Sequence, residues 1–131
     1  AELTDAIHET QSFSFPGADD RFWTAFAHRV GRELSDGRVI FDYDPAIKLA
    51  FAQPMGVAPP NLQALFVALS QKPILVLRGA LSDILEPEGV DAMRNLNPRL
   101  EAVEIPSVGH APTLDEPSAR ATIENFLRNI L

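Results

Sequence analysis

Three stretches decide how this chain folds: Pro73-Ile74-Leu75-Val76-Leu77-Arg78-Gly79-Ala80-Leu81-Ser82-Asp83, then Leu100-Glu101-Ala102-Val103-Glu104-Ile105, then Val108-Gly109-His110-Ala111-Pro112-Thr113-Leu114-Asp115-Glu116-Pro117. Pro73–Leu77 is a continuous apolar run, the pattern of a strand covered on both faces. Leu100–Ile105 sets Leu100, Ala102 or Val103, and Ile105 against Glu101 and Glu104, and reads as a second strand. Between them Pro87 suits the first turn of a helix running to about Asn95, with Val90, Met93 and Leu96 inward, before Asn97-Pro98 ends it. Pro117 starts a last helix whose Ile123, Phe126, Leu127 and Ile130 share one face. Strands alternating with helices imply a parallel sheet and an α/β fold. Asp83 and His110 then stand on loops at the ends of two neighbouring strands.

Working outward, residues 1–58 read as a helical, aromatic-rich region broken by turns. Asp20 is expected to cap a helix over about Arg21 to Glu33, with Phe22, Trp23, Phe26, Ala27 and Val30 on one stripe. Asp36-Gly37 signals a turn, and Arg38–Tyr43 an extended piece closed by Asp44-Pro45. Pro54, Pro59 and Pro60 punctuate a loop, followed by a helix near Asn61–Leu69 with Leu62, Leu65, Phe66 and Leu69 on its buried side. The expected division is residues 1–70 as a helical region and 71–131 as the strand-containing region.

The bulk numbers exclude several classes. A chain of 131 residues is the size of one domain, and 46% hydrophobic content is too high for disorder. No apolar run reaches the roughly 18 residues of a membrane span, and no secretory leader pattern opens the chain. A net charge of −7 with scattered Lys and Arg leaves no phosphate-binding footprint, so a nucleic-acid partner is not expected. The absence of cysteine removes disulfides, thiolate metal sites and a Cys nucleophile, and fits a cytoplasmic home. No histidine spacing resembles a metal site, and no cofactor is expected.

An aspartate and a histidine on adjacent strand-end loops suit acyl transfer. A serine hydroxyl is a weak nucleophile until a base takes its proton, and the same histidine can pass that proton to the leaving group. A carboxylate on the other ring nitrogen fixes the tautomer. The bland alternatives are an ordinary loop histidine at 110 and a turn or helix-capping aspartate at 83. Asp115 and Glu116, directly before Pro117, read as caps of the last helix. His8 and His28 read as structural or surface residues.

The order strand, Gly79-x-x-Ser82-Asp83, helix, strand, Gly109-His110-x-Pro112, helix resembles the C-terminal section of the α/β-hydrolase superfamily. The match covers residues 72–131, and residues 1–70 look like the helical cap such enzymes insert before their last two strands. The resemblance implies Asp83 as the acid that orients the histidine and His110 as the general base. It also requires a nucleophile on an earlier strand, in the pattern G-x-S-x-G. Serines occur here at 12, 14, 35, 70, 82, 107 and 118, none flanked by glycines two residues to either side. Ser107, though near His110, lacks the strand–turn–helix setting of a nucleophile. The nucleophile is therefore expected before Ala1, as Ser or, as in relatives that cleave haloalkanes and epoxides, as Asp.

The expected function is that of the C-terminal fragment of a capped α/β hydrolase. It would act by a Ser-His-Asp mechanism on an ester or related bond of a small apolar substrate. Trp23, Phe26, Phe51 and Met55 are the candidate substrate-lining residues, the bland alternative being the cap's own core. The fragment alone is expected to be inactive. The competing expectation is a non-catalytic cap-and-edge module. It would self-associate through the exposed edge of Pro73–Leu77 or pair with the N-terminal half.

Overall fold

The computed structural model of the chain describes residues 2–49 in full, the backbone of 50–52, and residues 61–131. The chain divides into two compact units: residues 1–12 with 17–60, and residues 13–16 with 61–131. Residues 61–70 belong to the second unit. The reason is local, because the helix that opens the second unit packs against another helix of that unit.

The second unit holds a two-stranded parallel sheet. Strand β3 (Ile74–Gly79) pairs with β4 (Leu100–Ile105) in register from Ile74 opposite Leu100 to Gly79 opposite Ile105. The expected strand at Pro73–Leu77 thus runs two residues further, taking in Arg78 and Gly79. Helix α5 (Pro87–Leu96) connects the strands, with Pro87 at its first turn, where a missing N–H costs nothing. Asn97, fully buried, ends that helix and ties down both flanks. Its Nδ2 donates to the carbonyls of Leu69 (3.4 Å) and Lys72 (3.2 Å), and its Oδ1 accepts from the Arg99 amide at 2.9 Å. Helix α6 (Pro117–Ile130) packs on both strands. The core of the unit is Phe15, Val90, Leu100, Ile105, Val108, Ala119 and Phe126.

Helix α4 (Leu62–Val67), which opens this unit, is capped by Asn61, whose side chain accepts from the Ala64 amide. Its expected buried face is not buried. Leu62 is 71% exposed, Leu65 and Leu69 are exposed, and Phe66 is half-buried. Among the described residues only α5 packs against it to any extent, and one neighbour covers too little of a six-residue helix. Ile74–Leu77 are likewise half-buried, because a sheet of two strands leaves both as edges.

The first unit has helices α1 (Glu2–Gln11), α2 (Asp20–Val30) and α3 (Ile47–Ala52), with an antiparallel pair β1 (Gly31–Glu33) and β2 (Val39–Phe41). The cap of α2 is Asp19, not Asp20: its Oδ1 accepts from the Phe22 amide at 2.9 Å. The helix also stops at Val30, three residues before the expected Glu33, because Gly31–Glu33 pairs with Val39–Phe41 across a turn. In that turn Gly37 takes a left-handed φ of 81°, open to glycine at little cost. The core of this unit is Ile7, Trp23 and Ala27. No helix among the described residues is long and apolar enough to cross a membrane.

Candidate active site

The loops that follow β3 and β4 are fastened to each other. The Ala80 amide donates to the Ile105 carbonyl at 2.8 Å, and the Leu81 amide to the Val108 carbonyl at 2.9 Å. Gly79 is what lets them approach. A Cβ there would overlap the Gly109 carbonyl oxygen and sit 2.5 Å from that of Val108, both backbone atoms with nowhere to go. Gly109 in turn donates its amide to the carbonyl of Ser14 at 2.6 Å. That brings residues 13–16 into the unit, with Ser14 and Phe15 buried and Phe13 exposed.

His110 and Asp83 both lie on the exposed outer side of these joined loops. Nδ1 of His110 faces Oγ of Ser82, at a long 3.4 Å. Oγ of Ser82, itself buried, accepts from the amides of Leu85 at 3.0 Å and Ile84 at 3.4 Å, closing the turn that carries Asp83. Asp83 and His110 are therefore on the same turn-to-loop junction but not hydrogen-bonded to one another. The group that the histidine's Nδ1 faces is the hydroxyl one residue before the aspartate. Catalytic hydrogen bonds are often loose before substrate binds.

Each loop is braced from inside. Arg78, 8% exposed, donates through Nε to the Leu85 carbonyl at 2.6 Å and through Nη2 to the Ser82 carbonyl at 3.2 Å. Its Nη1 reaches the Ala80 carbonyl at 3.4 Å and Oε2 of Glu104 at 2.7 Å. On the histidine side Oε1 of Glu116 accepts from both the amide and the hydroxyl of Thr113, each at 2.9 Å. Burial pushes the Glu116 carboxyl up, but these donors, with its own amide and that of Leu114, together hold it below its ordinary value. Glu116 stands at the N-terminal cap of the last helix, as expected, but does not cap it through its side chain, which turns back to Thr113. Between them Leu114 is left-handed at φ 69°, as is Ser107 at φ 61° in the turn after β4.

Of the remaining sequence candidates, Trp23 is 3% exposed and packs edge-on against His8, ring centroids 4.8 Å apart. Phe26 is half-buried beside it, with centroids 6.4 Å apart. Trp23 and His8 border a cavity of about 560 Å³ in the first unit, together with Asp5, Asp20 and His28. The side chain of Phe51 and the whole of Met55 lie outside the described residues. Among the described residues no cluster of three or more His, Asp or Glu is placed to hold a metal ion.

Sequence reasoning missed Arg78, Ser82 and the Ser14 contact. For Arg78 a signal existed: a cation in an apolar strand run must have internal partners to be buried. For Ser14, 95 residues before Gly109 in the chain, none did.

The chain is similar to an α/β hydrolase from Novosphingobium aromaticivorans. The two are 39% identical with a TM-score of 0.87, over 97% of this chain and 45% of that one. It is also similar in fold to E-2-(acetamidomethylene)succinate hydrolase, at 20% identity and a TM-score of 0.66, over 95% of this chain and 45% of that one. By sequence it is 38% identical to 3-hydroxybutyrate-oligomer hydrolase of Cupriavidus necator, over 64% of this chain and 30% of that protein. No family model matches the sequence. The chain thus spans less than half the length of these relatives, and its fold is the C-terminal portion of an α/β-hydrolase fold.

Proposed function

We propose that this chain is the C-terminal portion of a capped α/β hydrolase that cleaves an ester or related bond in a small apolar substrate. His110 is the general base, Asp83 the acid that orients it, and the nucleophile comes from residues before Ala1. The observation that carries this reading is the junction of the two strand-end loops at Gly79. It sets Nδ1 of His110 beside the turn bearing Asp83. Hydrolase relatives on the same fold support the class, and the Cupriavidus necator relative supports the bond, since hydroxy acids joined head to tail are esters.

In the proposed reaction the serine hydroxyl adds to the substrate carbonyl as its proton passes to Nε2 of His110. The tetrahedral intermediate collapses when that proton moves on to the leaving alcohol. Water then repeats both steps on the acyl-enzyme. For this the Asp83 carboxylate must take the place at Nδ1 that the Ser82 hydroxyl faces here. Asp83 is exposed, and among the described residues its carboxylate has no hydrogen-bond partner to give up in doing so. The first unit would be the cap, with the half-buried Phe26 as its described candidate for substrate contact, Trp23 being packed in that unit's own core.

The test is hydrolysis of an activated aryl ester. The 131-residue chain alone is expected to be inactive, and addition of the N-terminal half to restore turnover. His110→Ala should then lower kcat by about 10⁴ to 10⁶. Serine-dependent turnover by the chain alone would defeat the assignment of the nucleophile. Turnover unchanged in His110→Ala would defeat that of the base.

A second reading is a non-catalytic module that self-associates. Two edge strands and the exposed Leu62, Leu65 and Leu69 favour it. It predicts a dimer by light scattering at micromolar concentration, and a monomer there would count against it.

A further inference from the structure

We propose that Arg78 is a positioning residue of this site, holding the Ser82–Asp83 turn against Nδ1 of His110. The proposal rests on the reading of Asp83 and His110 as acid and base.

A buried guanidinium needs partners, and charge alone would be met by Glu104, whose side chain is 60% exposed at the rim. Arg78 does more than meet that carboxylate. Its Nε and Nη2 take the carbonyls of Leu85 and Ser82, the two residues that bracket Asp83 and Ile84. With both carbonyls drawn inward, the side chains of Asp83 and Ile84 are left on the outer face, where both are exposed. The Ser82 hydroxyl closes the same turn from the Leu85 amide and faces His110. The guanidinium therefore fixes the residue that touches the histidine and the residue that closes the turn.

The other edge of the guanidinium is fixed too. Glu104 is the residue opposite Arg78 in the parallel register, and Nη1 binds its carboxylate at 2.7 Å. One planar group thus spans the strand that leads to Asp83 and the strand that leads to His110. Its five N–H groups lie in one plane, and four acceptors are arranged around it. A lysine ammonium at the same place is a compact point charge and cannot reach acceptors spread in this way.

The experiment reads the ring nitrogens of the histidines in the nitrogen-15-labelled 131-residue chain, with His110 assigned by its loss in His110→Ala. An oriented His110 shows one neutral tautomer. Asp83→Asn is expected to turn that signal into a mixture. Arg78→Lys should lose at least half of the same preference while His8 and His28 stay in place. If Arg78→Lys keeps the wild-type pattern and Asp83→Asn loses it, the proposal fails and the acid–base reading stands. If Asp83→Asn also keeps it, the reading fails and the proposal with it. Should Arg78→Lys not fold, Glu104→Ala at the exposed rim replaces it. A partial loss of the tautomer preference is then expected, and an unchanged pattern overturns the proposal.

Discussion

The loop that carries Asp83 and the loop that carries His110 solve one problem with opposite charges. Irregular backbone in contact with a core must still satisfy its polar groups. The Asp83 loop turns carbonyls inward and closes on a cation, Arg78. The His110 loop presents an amide and a hydroxyl at Thr113 and closes on an anion, Glu116. They differ in strain as well. Residues 80–85 hold no left-handed residue, whereas the histidine side has Ser107 and Leu114 at positive φ, each costing about 1 kcal/mol. A loop that carries strain depends more on its brace. The polarity of a brace follows from which backbone groups the loop turns inward.

The largest expected effect strikes both loops at once. Gly79→Ala puts a methyl group onto two carbonyl oxygens and should cost about 3 kcal/mol in denaturant unfolding. A loss under about 0.5 kcal/mol would show that the loops can part freely. Next comes the histidine side alone. Glu116→Ala leaves the Thr113 amide and hydroxyl without their acceptor and should cost about 2 kcal/mol. The sign of its pH dependence follows from a folded-state carboxyl held below its ordinary 4.5. The stability it contributes is complete above about that pH and is lost as pH falls through the lower folded value. Glu116→Gln should therefore flatten the acid limb of the stability curve below about pH 4.5, and an unchanged limb would remove Glu116 from the account.

Two controls in the other unit sharpen the contrast. Asp19→Ala deletes the cap of α2 and should cost about 1 kcal/mol, without moving the His110 signals. Arg32→Ala breaks an ion pair with Asp42 in which both side chains are 56% exposed, and should cost under about 0.5 kcal/mol by the same unfolding measurement.

Much of the second unit was legible in the sequence. Leu100–Ile105 came out with its observed bounds because alternation and flanking turns mark a strand from within. Pro87 and Pro117 marked both helix starts because proline is tolerated only there. The placement of Asp83 and His110 on neighbouring strand ends followed from the strands. What escaped was tertiary. The α2 stripe reads as helix through Glu33, and only pairing with Val39–Phe41 ends it at Val30. The apolar stripe of α4 predicts burial, but burial needs a covering neighbour, and among the described residues none covers Leu62. Arg78 could be seen to need partners, yet the spread of those partners over Ala80, Ser82, Leu85 and Glu104 depends on the folded turn. Ser82 reads as a spacer in Gly79-x-x-Ser82-Asp83 until the turn aims its hydroxyl at His110.

We propose that Asp83 and His110 belong to a hydrolase whose nucleophile lies before Ala1. This is tested most directly by determining the coding sequence upstream of the Ala1 codon. The account predicts an apolar strand followed by G-x-S-x-G, or by the same turn with Asp in place of Ser, ahead of the first unit. A start codon directly before Ala1 would contradict it.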